Sequence, residues 1–156
     1  MDKEEFAERV MGMRDTLYRV AASLLRCEAD REDAVAEAVA KAMVKLPGLR
    51  KVEAFGPWMI RILMNECYNI IRRGKREIAV EQVPDVYFAK EESRELFQAF
   101  HELEEKYRLP MVLYYVEGYK VEEVAKALRL PEGTVKSRLM RGRKQLRDML
   151  DGEVSA

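Results

Sequence analysis

Along the whole chain, apolar residues recur at spacings of three and four with polar residues between them, and strand-like alternation is absent. That pattern predicts helices. From Glu4 to Leu25 the apolar positions Phe6, Val10, Met13, Leu17, Val20, Ala21, Leu24 and Leu25 keep the spacing. Asp30 then offers an N-cap, with Asp33 three residues on, for a helix that runs to Leu46 and stops at Pro47-Gly48. Its apolar face is Ala34, Val35, Ala38, Val39, Ala42, Met43 and Leu46. Asp33, Glu37 and Lys41 lie along another face at intervals of four, which spacing alone reads as a solvated surface. A short basic loop, Leu49-Arg50-Lys51-Val52, leads into a helix from about Glu53 to Arg73. Met59, Ile62, Leu63, Cys67 and Ile70 point one way on it. Trp58, Arg61, Asn65, Tyr68 and Arg72 form a stripe on the other side, followed by Arg73, Lys75 and Arg76.

Periodicity fades between Glu77 and Ser93, where Pro84 interrupts and Glu81, Asp85, Glu91 and Glu92 accumulate; this stretch reads as a linker. Helicity resumes near Ser93 with Leu96, Phe97, Phe100 and Leu103 as the buried set. His101, the sole histidine, has no Ser, Cys or metal partner in view and reads as a surface or edge residue. Pro110 suits the first turn of the next helix, whose Met111, Leu113, Tyr114 and Tyr115 lead to Gly118 as its stop. Two further helical patterns follow. The first carries Val121, Val124, Ala125 and Leu128 on one face; Leu130-Pro131-Glu132-Gly133 breaks it; the second, from Thr134, repeats Val135, Leu139, Leu146 and Met149 or Leu150, with Gly142 on the same face. Two helices about such a turn describe a helix-turn-helix.

The residues opposite that apolar face point to a ligand. At about 100° per residue, Lys136, Ser137, Met140, Arg141 and Lys144 cluster away from Val135 and Leu139. Between Thr134 and Arg147 there is no acidic residue, while Lys136, Arg138, Arg141, Arg143, Lys144 and Arg147 are basic. An ordinary solvated helix mixes both signs, so this face is suited to phosphates. The competing reading, a basic surface helix beside an acidic partner, leaves the coincidence with the tight turn unexplained. The stripe on the earlier helix has a different chemistry. Its rings can stack on unpaired bases, its amide can read base edges and its guanidiniums can hold phosphates, as single-stranded nucleic acid requires. Against that stands plain packing of Trp58 and Tyr68 on a neighbouring helix.

Composition narrows the picture. The 156 residues allow one domain or two small ones. With 48% hydrophobic and 36% charged residues there is ample material for helical cores with solvated outer faces, and with strand-like alternation and repeats absent the fold reads as all-α. The formal net charge of zero conceals the local basic cluster. No apolar run reaches bilayer length, and Met1-Asp2-Lys3-Glu4-Glu5 does not read as a signal peptide. Cys27 and Cys67 stand apart, which suggests buried thiols in a reducing cytoplasm and no zinc site or disulfide framework. No nucleophile–base pair, metal cluster or phosphate-binding Gly loop is in view, which argues against an enzyme and against a cofactor.

Gly133-Thr134-Val135-Lys136-Ser137-Arg138-Leu139, with Val121-Glu122-Glu123-Val124-Ala125 before it, resembles region 4 of bacterial sigma factors, the short extracytoplasmic-function (ECF) type most of all. Glu32-Asp33-Ala34-Val35-Ala36-Glu37-Ala38 resembles the polymerase-binding helix of region 2, and Trp58-Met59-Ile60-Arg61-Ile62-Leu63-Met64-Asn65 the adjoining promoter-melting helix. The resemblance implies two small helical domains: 1–76 for core RNA polymerase and the −10 element, and 93–156 for the −35 element, joined by a linker over 77–92. It implies that Asp33, Glu37 and Lys41 face polymerase, and that Arg50, Lys51, Trp58, Arg61, Asn65, Tyr68 and Arg72 face the −10 strand. Thr134, Lys136, Ser137, Arg138, Met140, Arg141, Arg143 and Lys144 would face the −35 duplex. It further implies core RNA polymerase, promoter DNA and an anti-sigma factor as partners in the cytoplasm, without direct membrane insertion. The alternative is a helix-turn-helix regulator acting without polymerase; it accounts for Val121–Leu150 and leaves the stripe over. Three positions depart from the family pattern: Ala36 where Gln is usual, Met43 where an aromatic is common, and Gly142 where Ala is usual. Gly inside a helix costs about 1 kcal/mol relative to Ala, so Gly142 implies a packing role.

Overall fold

The computed structural model describes residues 1–74 and 79–155, with side chains as far as residue 152; Lys75, Arg76 and the expected boundary at 76 lie outside the described residues. The described residues are helical with short turns and contain no strand. The chain divides into two packed units, Met1–Tyr87 and Phe88–Ala156.

The first unit contains α1 (Lys3–Gly12), α2 (Arg14–Leu24), α3 (Glu28–Lys45) and α4 (Phe55–Arg73). The periodicity over residues 4–25 spans two helices rather than one. Gly12, the weakest helix former in a stretch without proline, is followed by Met13 at φ −102°, ψ 4°, and the chain turns there. The third helix also starts earlier than Asp30. Cys27 stands at its N-cap without a side-chain cap bond, and Asp30 lies in the first turn, where a carboxylate favours the positive end of the helix dipole. Pro47 and Gly48 do end it, in a single 3₁₀ turn over Leu46–Gly48. Its buried row is Arg31, Ala34, Ala38 and Ala42; Val35 and Val39 are half-buried and Met43 is exposed. Small residues along this row let α3 pack closely on α4, whose Met59, Ile60, Leu63 and Cys67 are fully buried. Burial, with the neighbouring Glu66 carboxylate, pushes the Cys67 thiol up to about 12, so the reactive thiolate is absent near neutral pH.

Arg31 is the unexpected member of this core. No surface reaches it. Its Nε donates to the Leu25 carbonyl at 3.0 Å, and Nη2 donates to the carbonyls of Arg26 at 3.2 Å and Glu81 at 2.8 Å. The guanidinium also lies 5.9 Å from the Tyr18 ring centroid. Residues expected to form a linker thus pack on the first unit: the Glu81 N–H returns to the Arg26 carbonyl at 2.8 Å, Tyr87 stacks on Tyr18 at 3.9 Å, and Arg19 donates to the Tyr87 carbonyl.

The second unit contains α5 (Glu91–Phe100), α6 (Glu105–Met111), α7 (Val121–Leu128) and α8 (Glu132–Ser155). Phe97, Phe100 and Leu103 are buried as their spacing predicts, while Leu96 is exposed. His101 is half-buried against Phe97, its Nδ1 2.9 Å from the Phe97 carbonyl. Pro110 does not begin a helix; it sits inside α6, directly before a π-helical turn over Val112–Val116. Proline removes one N–H and crowds the carbonyl four residues back, that of Lys106, so its cost falls within α6. Gly118, at φ +76°, ends this segment in a conformation that favours glycine.

The break of the helix-turn-helix falls at Arg129, two residues before its Pro and four before its Gly. Arg129, not Gly133, takes the left-handed conformation (φ 55°, ψ 48°), and α8 begins at Glu132 with the Pro131 carbonyl accepting from Thr134 and Val135. A left-handed non-glycine residue costs about 1–2 kcal/mol, part of which glycine's freedom in the unfolded chain would offset. Arg129→Gly should therefore raise stability by about 0.5 kcal/mol in urea denaturation. A lower midpoint would show that Arg129 gains more from its side chain than it loses in its backbone.

Candidate nucleic-acid interface

Helix α8 has one buried row, Val135, Leu139 and Gly142. Gly142 permits the close approach of α6: a Cβ there would stand 3.0 Å from Met111 Cγ and Sδ. That is the packing role expected of it. With this row inward, Lys136, Ser137, Met140, Arg141, Arg143 and Lys144 are exposed, and Thr134 and Arg138 are half-buried. Met140 is 59% exposed on this face. Two of the cations already have partners. Lys144 Nζ lies 2.9 Å from Asp148 Oδ2, an exposed i,i+4 pair of the weak kind that a phosphate can displace. Arg143 Nη1 donates to the Tyr115 hydroxyl at 3.0 Å. Tyr115 was legible only as part of an apolar helix, since nothing local in sequence ties it to residue 143. Helix α7 is held at its start by Glu123, whose Oε1 accepts from the Lys120 N–H at 3.0 Å.

On α4 of the first unit, residues 58, 61, 65, 68 and 72 follow one another at spacings of three and four and occupy one strip, opposite the buried side. Asn65 and Arg72 are exposed; Trp58, Arg61 and Tyr68 are half-buried. The Trp58 ring is tilted against Phe55, centroids 5.8 Å apart, and Phe55 in turn meets Phe6 edge-on at 6.0 Å. Part of the Trp58 ring is therefore packing and part remains open. Arg72 donates to Asn69 on its own helix. Arg50 and Lys51 are exposed in the segment between Gly48 and Val52.

Asp33 and Glu37 are both exposed on α3. Lys41, the third residue of that set, is engaged elsewhere: its ammonium lies 2.6 Å from Glu66 Oε1, on a carboxylate that is only 3% exposed. Nothing local in the sequence singles out Glu66, because a single acid among Leu63, Met64 and Cys67 reads as solvated. Removing one member of such a pair strands the other charge, so Lys41 serves the α3–α4 packing. Between α3 and α4 runs a groove of 650 Å³ whose lining includes Asp30, Asp33, Glu37, Glu66 and Arg73. Among the described residues no group of His, Cys, Asp and Glu is arranged to hold a metal, and no helix is long and apolar enough to cross a membrane.

Known proteins share both halves of this arrangement. Residues 10–77 match Sigma-70 region 2, and residues 93–146 match Sigma-70, region 4. The ECF RNA polymerase sigma factor SigW of Bacillus subtilis is 28% identical over 96% of this chain and 90% of its own. The RNA polymerase sigma-E factor of Streptomyces antibioticus is 31% identical over 94% of this chain and 85% of its own. In fold, the chain resembles the sigma factor RpoE of Bartonella quintana, crystallised with the anti-sigma factor NepR. The TM-score is 0.76 at 22% identity, covering 95% of this chain and 98% of that one. With both conserved regions matched and relatives of this identity spanned over most of their length, the chain belongs to the ECF group of RNA polymerase sigma factors.

Proposed function

We propose that this sigma factor brings core RNA polymerase to its promoters, holds the −35 duplex on α8 and captures unpaired −10 bases on the α4 strip. The observation that carries the reading is the single-sided exposure of Lys136, Ser137, Met140 and Arg141 over the buried row Val135, Leu139 and Gly142. Residues 1–76 take the polymerase and −10 roles and residues 93–156 the −35 role, with Asp33 and Glu37 toward polymerase. The work is binding throughout. No residue is asked to form or break a covalent bond, and no cofactor enters. The place of action is the cytoplasm, with the polymerase. An anti-sigma factor, as in the Bartonella quintana complex, is the regulator this chain would meet. Run-off transcription with core polymerase tests the whole: initiation at a promoter only when the chain is added supports it, and failure across a genomic promoter library would return α7 and α8 to the role of a regulator acting alone.

Within α8 the roles divide. In this reading Arg141 and Lys136 reach major-groove base edges, with Met140 beside them for a thymine methyl. Arg138, Arg143 and Lys144 hold phosphates. Arg141→Ala should cost about 1–3 kcal/mol and relax preference at one base position. Lys144→Ala should weaken all sequences alike and reduce the salt slope by about 1. Competition binding against a randomised −35 library separates these outcomes. Equal, sequence-blind losses in both variants would remove Arg141 from the base-reading set.

A further inference from the structure

The bond between Arg143 and Tyr115 leaves donors unused on both sides. The guanidinium donates through Nη1, so the phenol oxygen is the acceptor and its own proton takes no part in that bond. The Tyr115 ring is held in place. It meets Tyr114 edge-on at 4.9 Å and is tilted against the buried Phe100 at 6.1 Å. The π turn over Val112–Val116 buries Val112 and Leu113 while leaving Tyr114 and Tyr115 exposed. On α8, at about 100° per residue, Arg143 projects roughly 40° from buried Leu139 and roughly 20° from exposed Lys136. It thus stands between the buried row and Lys136, and two turns further from the N-terminal end of α8 that reaches base edges in a recognition helix, which turns it toward the sugar-phosphate backbone.

We infer that Tyr115 and Arg143 form a composite phosphate clamp, the tyrosine hydroxyl and the free guanidinium N–H groups donating to one backbone phosphate of the bound duplex. This rests on the reading of α8 as the −35 helix and adds to it a residue from outside the helix-turn-helix. The preformed contact holds both donors near the geometry they need, so fewer rotamers are lost on binding. Hydrogen bonds to a charged oxygen are the strong ones.

Because a phosphate contact is blind to sequence, the probe is a random-sequence DNA duplex, titrated with the full chain across a salt series. Tyr115→Phe keeps the ring and removes only the hydroxyl. It should weaken binding by about three- to tenfold with the salt slope unchanged, because the charge that releases counterions is still present. Arg143→Ala should weaken binding and lower the slope by about 0.9. The double variant should lose less than the product of the two single losses, since both donors serve one phosphate. Unaltered affinity in Tyr115→Phe would overturn the clamp. So would a slope that falls as it does in Arg143→Ala, which would mean that Tyr115 only orients the arginine. Losses that multiply would place the two donors on separate phosphates and overturn it too. A wild-type chain without salt-dependent duplex binding would overturn the −35 reading itself.

Discussion

A chain carrying Asp33→Lys and Glu37→Lys is expected to fold normally and to lose core RNA polymerase. Both side chains are exposed on α3, so reversing them disturbs no buried contact. The local costs are small. Lysine and glutamate have similar helix propensity, and a lysine at 37 adds one like-charge i,i+4 contact with Lys41, roughly 0.2–0.5 kcal/mol. The cost at an interface is much larger. A charge set against its like, where a complementary pair had formed, costs several kcal/mol, and each 1.4 kcal/mol is about tenfold in affinity. Two such reversals should weaken the complex by roughly a thousandfold or more. Co-elution with core enzyme on gel filtration reads this out, with circular dichroism as the check on folding. Retention of this double variant at wild-type affinity would make this face an ordinary solvated surface.

The second large effect is expected in promoter opening. Trp58→Ala and Asn65→Ala should leave duplex −35 binding and polymerase binding intact and impair the open complex. Base–aromatic stacking is worth about 1–3 kcal/mol per base and acts only on bases already unpaired. The two variants are not equivalent. Trp58 also leans on Phe55, so its loss removes some packing within the first unit, whereas Asn65 is exposed and is the cleaner probe. Permanganate reactivity of thymines in the bubble measures opening directly. A template with a pre-melted mismatched bubble should rescue either variant only in part, because opening is supplied and base capture is still missing. Wild-type reactivity in both variants would assign the strip to packing.

What was legible in the sequence follows from the range of the forces involved. The α8 face could be read because a buried row, a one-signed charge pattern and a tight break all lie within a few turns of one another. The same locality made Met59, Leu63 and Cys67 recognisable as core. Turn chemistry is less plainly written in the residues. Pro131 and Gly133 look like the break, yet Pro131 stands just before α8, Gly133 lies within it, and the reversal is taken by Arg129, whose N–H and that of Leu130 both reach the Ala125 carbonyl. Contacts between distant residues were not legible at all. Lys41 looks like a member of a solvated row until Glu66 is brought to it from 25 residues away. Tyr115 and Arg143 are separated by 28 residues, and nothing in either neighbourhood names the other.

Arg31 carries the longest of these dependencies, and it bears on how the protein is made. Its third carbonyl partner is Glu81, 50 residues further along, and the ring stacked on the Tyr18 beneath it is Tyr87. Chains are synthesised from the N-terminus and tend to fold unit by unit as they emerge. When α4 has left the ribosome, α1 to α4 can already gather, yet the guanidinium in their midst still lacks Glu81 and the Tyr18 ring lacks its cover. The first unit is therefore expected to complete its core only after the segment beyond α4 has emerged, just before Phe88 begins the second unit. The order of synthesis thus places the last step of one unit against the first step of the next.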